Sequence, residues 1–111
     1  MNDSAPTQFG LSKMQLQLIL GVINNFEEIE KALIFGSRAT EKYKPGSDID
    51  LALIGDKLTS LLINRVSSAL DDLPLPFMFD VINYHELNNQ LLKKRIDDEG
   101  KLLYERKLNT V

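Results

Sequence analysis

The amino-acid sequence predicts an α/β fold, a small sheet covered by helices, and three observations predict it. Short apolar or alternating runs that read as strands are separated by longer segments whose apolar residues recur at helical spacing. Gly36, Pro45-Gly46, Pro74, Pro76 and Gly100 fall where one kind of run gives way to the next. The chain has 111 residues, 43% of them apolar and 26% charged, which suits a single domain over 1–111 with a modest core. The resulting order is helix, strand, short helix, strand, helix, strand, helix, an α/β sandwich in which pattern alone leaves the strand directions open.

Taken in order, residues 1–10 read as a loose lead-in. Ser12 followed by Gln15 makes a capping-box pattern. It opens a helix whose Leu11, Leu18, Ile19, Val22, Ile23 and Phe26 share one broad face. Lys31-Ala32-Leu33-Ile34-Phe35 reads as a buried strand ended by Gly36-Ser37. Residues 38–43 fit a short helix, and Lys44-Pro45-Gly46-Ser47 fits a turn. The second strand runs from Asp48 to Ile54. Leu58, Leu62, Val66, Ala69 and Leu73 then mark a second amphipathic helix, ended by Pro74 and Pro76. Phe77 to Asn83 gives a third strand. The last helix runs from about His85 to Glu99, stopped by Gly100 as its C′ residue. Lys101-Leu102-Leu103-Tyr104 adds a short edge strand or a final turn.

Charge and composition exclude several classes of function. The formal net charge is −3, whereas proteins that hold long duplexes by neutralising phosphates carry a clear basic excess. No long nucleic acid is therefore expected as a partner, and a nucleotide bound here would need a metal ion for much of its countercharge. The chain has no cysteine, so it has neither a disulfide framework nor a thiolate metal site, and an intracellular, cytoplasmic location is the simplest reading. Apolar runs such as Leu18-Ile19-Leu20 are too short to cross a bilayer. Met1 to Pro6 lacks the basic start and apolar run of a secretory signal. No membrane association is expected.

Three acidic residues stand where strands would otherwise be apolar. Alternation along the second strand puts Asp48, Asp50 and Ala52 on one face and Ile49, Leu51 and Leu53 on the other. Asp80 interrupts the third strand between Phe79 and Val81. Clustered carboxylates in such surroundings resist ionising together, and a divalent cation removes that conflict. Residues two apart on a strand lie roughly 6.7 Å apart along the chain. Their side chains can lean onto a pair of metal ions about 3.5–4 Å apart, with a third carboxylate closing the site from the neighbouring strand. Alternation by itself leaves a plainer arrangement equally open, with Asp48 capping the strand, Asp50 facing water and Asp80 on an exposed face.

Gly36-Ser37 separates these readings. A glycine and a serine directly after a buried strand let backbone N–H groups and a hydroxyl approach a phosphate. Ten residues lie between Ser37 and Asp48. The stretch from Gly36 to Leu53, with its Gly-Ser, the ten-residue gap and Asp-x-Asp, resembles the signature of the DNA polymerase beta-like nucleotidyltransferase superfamily. Within it, the stretch looks like the minimal nucleotidyltransferase (MNT) family. Asp80 falls at that family's third acidic position, and the resemblance runs from the first helix to Tyr104.

The resemblance implies a nucleotidyltransferase fold with a small mixed sheet flanked by helices. It also implies catalysis with two Mg²⁺ ions held by Asp48, Asp50 and Asp80. Ser37 would contact the triphosphate of ATP, with Gly36 and Arg38 beside it, and AMP would pass to a hydroxyl. A departure is Thr40-Glu41, where relatives often carry a basic or small residue followed by glycine. Such minimal domains often pair with an all-helical HEPN-domain protein, in some cases a toxin whose antitoxin adenylylates it. A HEPN partner with a tyrosine acceptor is thus expected. A non-catalytic module that masks the partner, or an adenylyltransferase of small molecules such as antibiotics, stands as the alternative.

Other motifs fail on spacing. An EF-hand begun at Asp48 would place Leu53 and Thr59 where glycine and glutamate belong. A P-loop begun at Gly36 would place Glu41 at its second glycine. His85, the sole histidine, reads as a helix-start residue, and Tyr43 and Tyr104 as packing residues. Arg38, Lys42 and Lys44 are read either as triphosphate contacts or as a solvated basic loop.

Overall fold

The computed structural model describes residues 6–107. Its regular elements are β1 (Pro6–Gln8), β2 (Leu11–Ser12), α1 (Lys13–Asn24), β3 (Lys31–Phe35), β4 (Ile49–Ile54), α2 (Ser60–Asp71), β5 (Phe79–Asn83), α3 (Gln90–Glu99) and β6 (Lys101–Glu105). Short 3₁₀ turns occupy Gly36–Arg38 and Tyr84–Glu86. Each helix opens on a side-chain cap that satisfies an orphan amide. Ser12 and Gln15 form the expected capping box, with Gln15 N donating to Ser12 Oγ at 3.1 Å and Ser12 N to Gln15 Oε1 at 2.9 Å. Thr59 accepts from Leu62 N, and Asn89 accepts from Leu92 N.

Four strands form the main sheet in the order β5-β4-β3-β6. β3 runs antiparallel to both β4 and β6, while β4 and β5 are parallel. The sheet is therefore mixed. Its parallel pair is joined through α2, as a parallel crossover requires. Alternation assigns the two faces. Ala32, Ile34, Ile49, Leu51 and Leu53 are buried with Ile19 and Ile23 of α1 and Val66 and Leu70 of α2. Phe35 and Ala52 are buried on the other face with Ile96 of α3. Among the described residues, no helix is long and apolar enough to cross a membrane.

Several boundaries differ from those read off the sequence. Of the supposed loose lead-in, residues 6–10 are ordered: β1 and β2 pair as a small antiparallel hairpin. Phe9 and Gly10, at its tip, both have positive φ, 55° and 74°. That combination suits a tight two-residue turn whose twist matches its strands. Residues 1–5 lie outside the described residues. Helix 38–43 is replaced by the 3₁₀ turn and a loop, and β5 begins two residues later than expected, at Phe79.

The last helix starts at Gln90 rather than near His85. Asn83 Oδ1 accepts from His85 N at 3.0 Å, which tightens residues 84–86 into the 3₁₀ turn. Leu87 is then extended, and the chain re-enters a helix only at the Asn89 cap. Gly100 does end that helix, but with extended backbone (φ −62°, ψ 145°) rather than the left-handed form of a C′ glycine. Its want of a side chain is a matter of space, because a Cβ there would press on the Ile96 carbonyl.

Candidate active site

β3 delivers the chain to the site and Gly36 turns it. Phe35 is extended and packs toward α3, and Gly36 then takes φ +74°, a left-handed conformation that a side chain would strain. The turn at Gly36–Arg38 sets Ser37 at the end of the sheet. Three amides and one hydroxyl close this loop on itself. Ala39 N and Thr40 N donate to Gly36 O at 3.1 and 3.3 Å, Lys42 N donates to Ser37 O at 2.9 Å, and Thr40 Oγ1 lies 3.4 Å from both Gly36 O and Ser37 O.

The acids are brought together by register. Asp50 of β4 stands opposite Phe35 on one side and Asp80 of β5 on the other. Asp80 is thus the direct parallel neighbour of Asp50, one strand spacing or about 4.8 Å away. Asp48 immediately precedes β4, two residues before Asp50, and Ile49 N donates to Met78 O at 2.9 Å, which locks the register at this end. Asp48 and Asp80 are exposed and Asp50 is half-buried. Burial pushes the Asp50 carboxyl above the ordinary aspartate range, and the charges of Asp80 and then Asp48 push it further in the same direction.

The three carboxylates thus gather at one end of the β4–β5 pair. Among the described residues, no three His, Cys, Asp or Glu side chains stand in a ready-made metal cage. The donor set nevertheless suits a hard divalent cation such as Mg²⁺, which takes oxygen ligands and keeps several waters. Such an ion would offset the burial and the repulsion that together raise Asp50. A further sign of fit is the close approach of loop and strand: a Cβ on Gly36 would run into Asp50 Oδ2.

Beside the acids, Gly36, Ser37, Thr40 and Lys42 face Arg95 and Glu99 of α3 across a cleft of about 370 Å³. Lys42, which the sequence leaves as either a triphosphate contact or a solvated loop residue, lines this cleft and is exposed. Arg95 was missed. Its only signal in the sequence is an i,i+4 partner, Glu99, whose Oε1 lies 3.9 Å from Arg95 Nε. Nothing in that spacing tells that α3 crosses above Ser37.

Arg38 is placed otherwise than expected. It is neither a solvated residue nor part of the cleft lined by Ser37, because its side chain is 2% exposed and is spent on backbone carbonyls. Nε and Nη2 donate to Ser47 O at 3.1 and 2.8 Å, and Nη1 donates to Phe9 O at 2.8 Å. Tyr43 and Phe77 lie against the guanidinium, with ring centroids 5.4 and 4.7 Å from Cζ. Tyr43 is thus a packing residue, as is Tyr104, which also donates to Asn24 Oδ1 at 3.2 Å. His85 serves the fold: its Nε2 accepts from Gly55 N at 3.0 Å.

A sheet that sets paired and neighbouring carboxylates beside a glycine-serine turn is the framework of a nucleotidyl-transfer protein. The family described as "Polymerase beta, Nucleotidyltransferase" matches residues 17–109, and the chain belongs to it. No curated protein matches the chain. Among solved structures, a toxin–antitoxin complex with AMP-PNP is 21% identical, with a TM-score of 0.61 over 83% of this chain and 74% of that one. The toxin–antitoxin pair MntA-HepT is 20% identical, with a TM-score of 0.57 over 86% and 74%. A tri-AMPylated HEPN toxin of Shewanella oneidensis in complex with MNT antitoxin is 20% identical, with a TM-score of 0.57 over 85% and 72%. At these identities the likeness is one of fold.

Proposed function

We propose that this chain is a Mg²⁺-dependent nucleotidyltransferase that moves AMP from ATP to a tyrosine hydroxyl on a HEPN-domain partner, serving as that partner's antitoxin in the cytoplasm. The observation that carries this reading is the register of Asp50 against Asp80, with Asp48 two residues away and Gly36-Ser37 at the adjoining strand end. Fold neighbours that pair an MNT antitoxin with a HEPN toxin, one of them tri-AMPylated, support the partner and the reaction.

Asp48, Asp50 and Asp80 would hold the metal, two ions by analogy with the family. Bound Mg²⁺ supplies countercharge to the triphosphate and makes the acceptor hydroxyl more acidic. The chain's own residues do the positioning that phosphoryl transfer mostly needs. The Ser37 hydroxyl and the amides of the Gly36–Arg38 turn orient the distal phosphates, because a turn this short leaves its first amides without intrahelical acceptors. Lys42, across the cleft from Arg95, adds positive charge where the pyrophosphate departs. Asp80, on the edge strand β5, lies toward the acceptor, so it matters more for transfer than for binding ATP. A docked partner would hold its hydroxyl near the acids and replace a bimolecular encounter with a positioned one.

The test is to incubate the chain with a HEPN partner, ATP and Mg²⁺ and to measure intact masses. The partner should gain one adenylyl group per transfer. Asp48→Asn and Asp50→Asn should lower the rate by about a hundredfold or more. Inhibition of the partner without any mass change, equal for wild type and Asp48→Asn, would support a masking module instead. No complex and no transfer would leave the small-molecule reading.

A further inference from the structure

The Arg38 guanidinium is bonded to the residue that precedes Asp48 and does not line the cleft beside Ser37. Two of its nitrogens converge on the Ser47 carbonyl, the last peptide oxygen before Asp48, at 2.8 and 3.1 Å. A third reaches across to the Phe9 carbonyl at the tip of the β1–β2 hairpin, at 2.8 Å. Tyr43 and Phe77 close over the group, so a charge that water would otherwise surround is held in one orientation. On the far side of Asp48, Ile49 N is bonded to the Met78 carbonyl. The peptide carrying Asp48 is thus tied at both ends, once by the sheet and once by Arg38. Nothing else described holds Ser47 except the local turn, in which Ser47 N donates to Lys44 O and Ser47 Oγ accepts from Lys44 N.

We infer that Arg38 is a positioning residue that acts through Asp48: its buried fork fixes the Ser47–Asp48 peptide, and with it the direction in which the Asp48 carboxylate meets the metal. The β1–β2 hairpin belongs to the same device, because Phe9 anchors the opposite prong. This rests on the nucleotidyltransferase reading of the acids and adds to it a residue that serves the site without touching nucleotide. A lysine cannot substitute. It keeps the charge but offers one point where the fork offers three.

The test measures Mn²⁺ affinity in the presence of AMP-PNP, by calorimetry, for wild type, Arg38→Lys and Arg38→Ala, with circular dichroism to confirm folding. Groups that orient a metal ligand alter affinity by about 10–100-fold when removed. Arg38→Lys should accordingly bind Mn²⁺ about tenfold more weakly or worse while remaining folded. On an Asp48→Asn background the same change should add little, because the ligand it orients is already lost. On an Asp80→Asn background it should keep most of its effect. A general loosening of the fold would not make that distinction. Millimolar guanidinium should partly restore Mn²⁺ binding to Arg38→Ala, and the same concentration of urea should not.

Wild-type Mn²⁺ affinity in folded Arg38→Lys would overturn the inference while leaving the nucleotidyltransferase reading standing. So would an effect equal on both backgrounds. A raised KM for ATP with unchanged Mn²⁺ binding would show instead that Arg38 meets the triphosphate directly. A wild-type chain that binds no Mn²⁺ would overturn both readings together.

Discussion

Gly36 and Asp50 come so close across the end of the sheet that a side chain at position 36 would occupy the place of the Asp50 carboxylate. Sequence reasoning valued this glycine for letting phosphate approach its backbone. The structure adds that it makes room for the Asp50 carboxylate and that it holds φ +74°.

Gly36→Val should therefore fail twice. The left-handed backbone alone costs a side chain about 1–2 kcal/mol, and the displaced Asp50 should lose its cation. Ser37→Ala should melt like wild type and raise the KM for ATP. Thermal melting together with Mn²⁺ titration checks both. A valine variant with normal melting and normal metal binding would contradict the close approach.

The pH dependence of stability should carry the mark of Asp50. Its carboxyl titrates above the ordinary range in the folded protein, through burial, Asp80 and Asp48 in that order. The native state therefore holds this proton at pH values where the unfolded chain has released it. The contribution of Asp50 to stability is fully present below the ordinary aspartate pKa and is lost as pH rises through the raised one. In metal-free protein, Asp50→Asn should melt higher than wild type at neutral pH and flatten this part of the profile. Saturating Mg²⁺ should reverse the order, because wild type then gains the binding energy that the asparagine variant forgoes. Melting curves across the acidic range, with Mg²⁺ and with chelator, decide it.

Glu41 holds a left-handed backbone, φ 62°, at the position where the family resemblance led one to look for glycine. The loop keeps its shape at a cost. Glu41→Gly should relieve about 1–2 kcal/mol of strain and give back about 0.5–1 in chain entropy, a net gain of about 0.5–1 kcal/mol. Glu41 lines a cavity together with Arg38, Tyr43 and Lys101, not the cleft beside Ser37, and it makes none of the bonds that hold Arg38 to Ser47 and Phe9. Denaturant unfolding should show the gain, and Mn²⁺ affinity should not change.

His85 should prove structural. Removing its ring strands the buried Gly55 amide that donates to Nε2. His85→Ala should cost about 1–2 kcal/mol and leave transfer per folded molecule unaltered. A variant that melts normally but transfers poorly would move His85 into the site.

Much of the fold was legible because local pattern and final packing agree. The alternation Asp50, Ala52 against Ile49, Leu51, Leu53 is the division seen between the α3 face and the α1–α2 face. The capping box at Ser12 opens α1 as its residues require. The sequence reading starts the last helix near His85, five residues early, because residues 85–89 hold no proline or glycine that would delay it. Only the bond from His85 N to Asn83 Oδ1 reveals the 3₁₀ turn that delays it. The hairpin over residues 6–12 was missed because two short strands carry too few residues to show a period.

By itself, the sequence determined which residues are acidic, how far each lies from Gly36-Ser37, and which face of its strand each occupies. Those properties follow from covalent order and the two-residue repeat of a strand. Tertiary structure decided that Asp80 stands beside Asp50 and not one place along, since register depends on how two distant strands pack. It also decided that Arg38, next to Ser37 in the chain, spends its charge on the carbonyls of Phe9 and Ser47. A side chain's partners across the fold are set by where the backbone returns, and no spacing along the chain encodes that return.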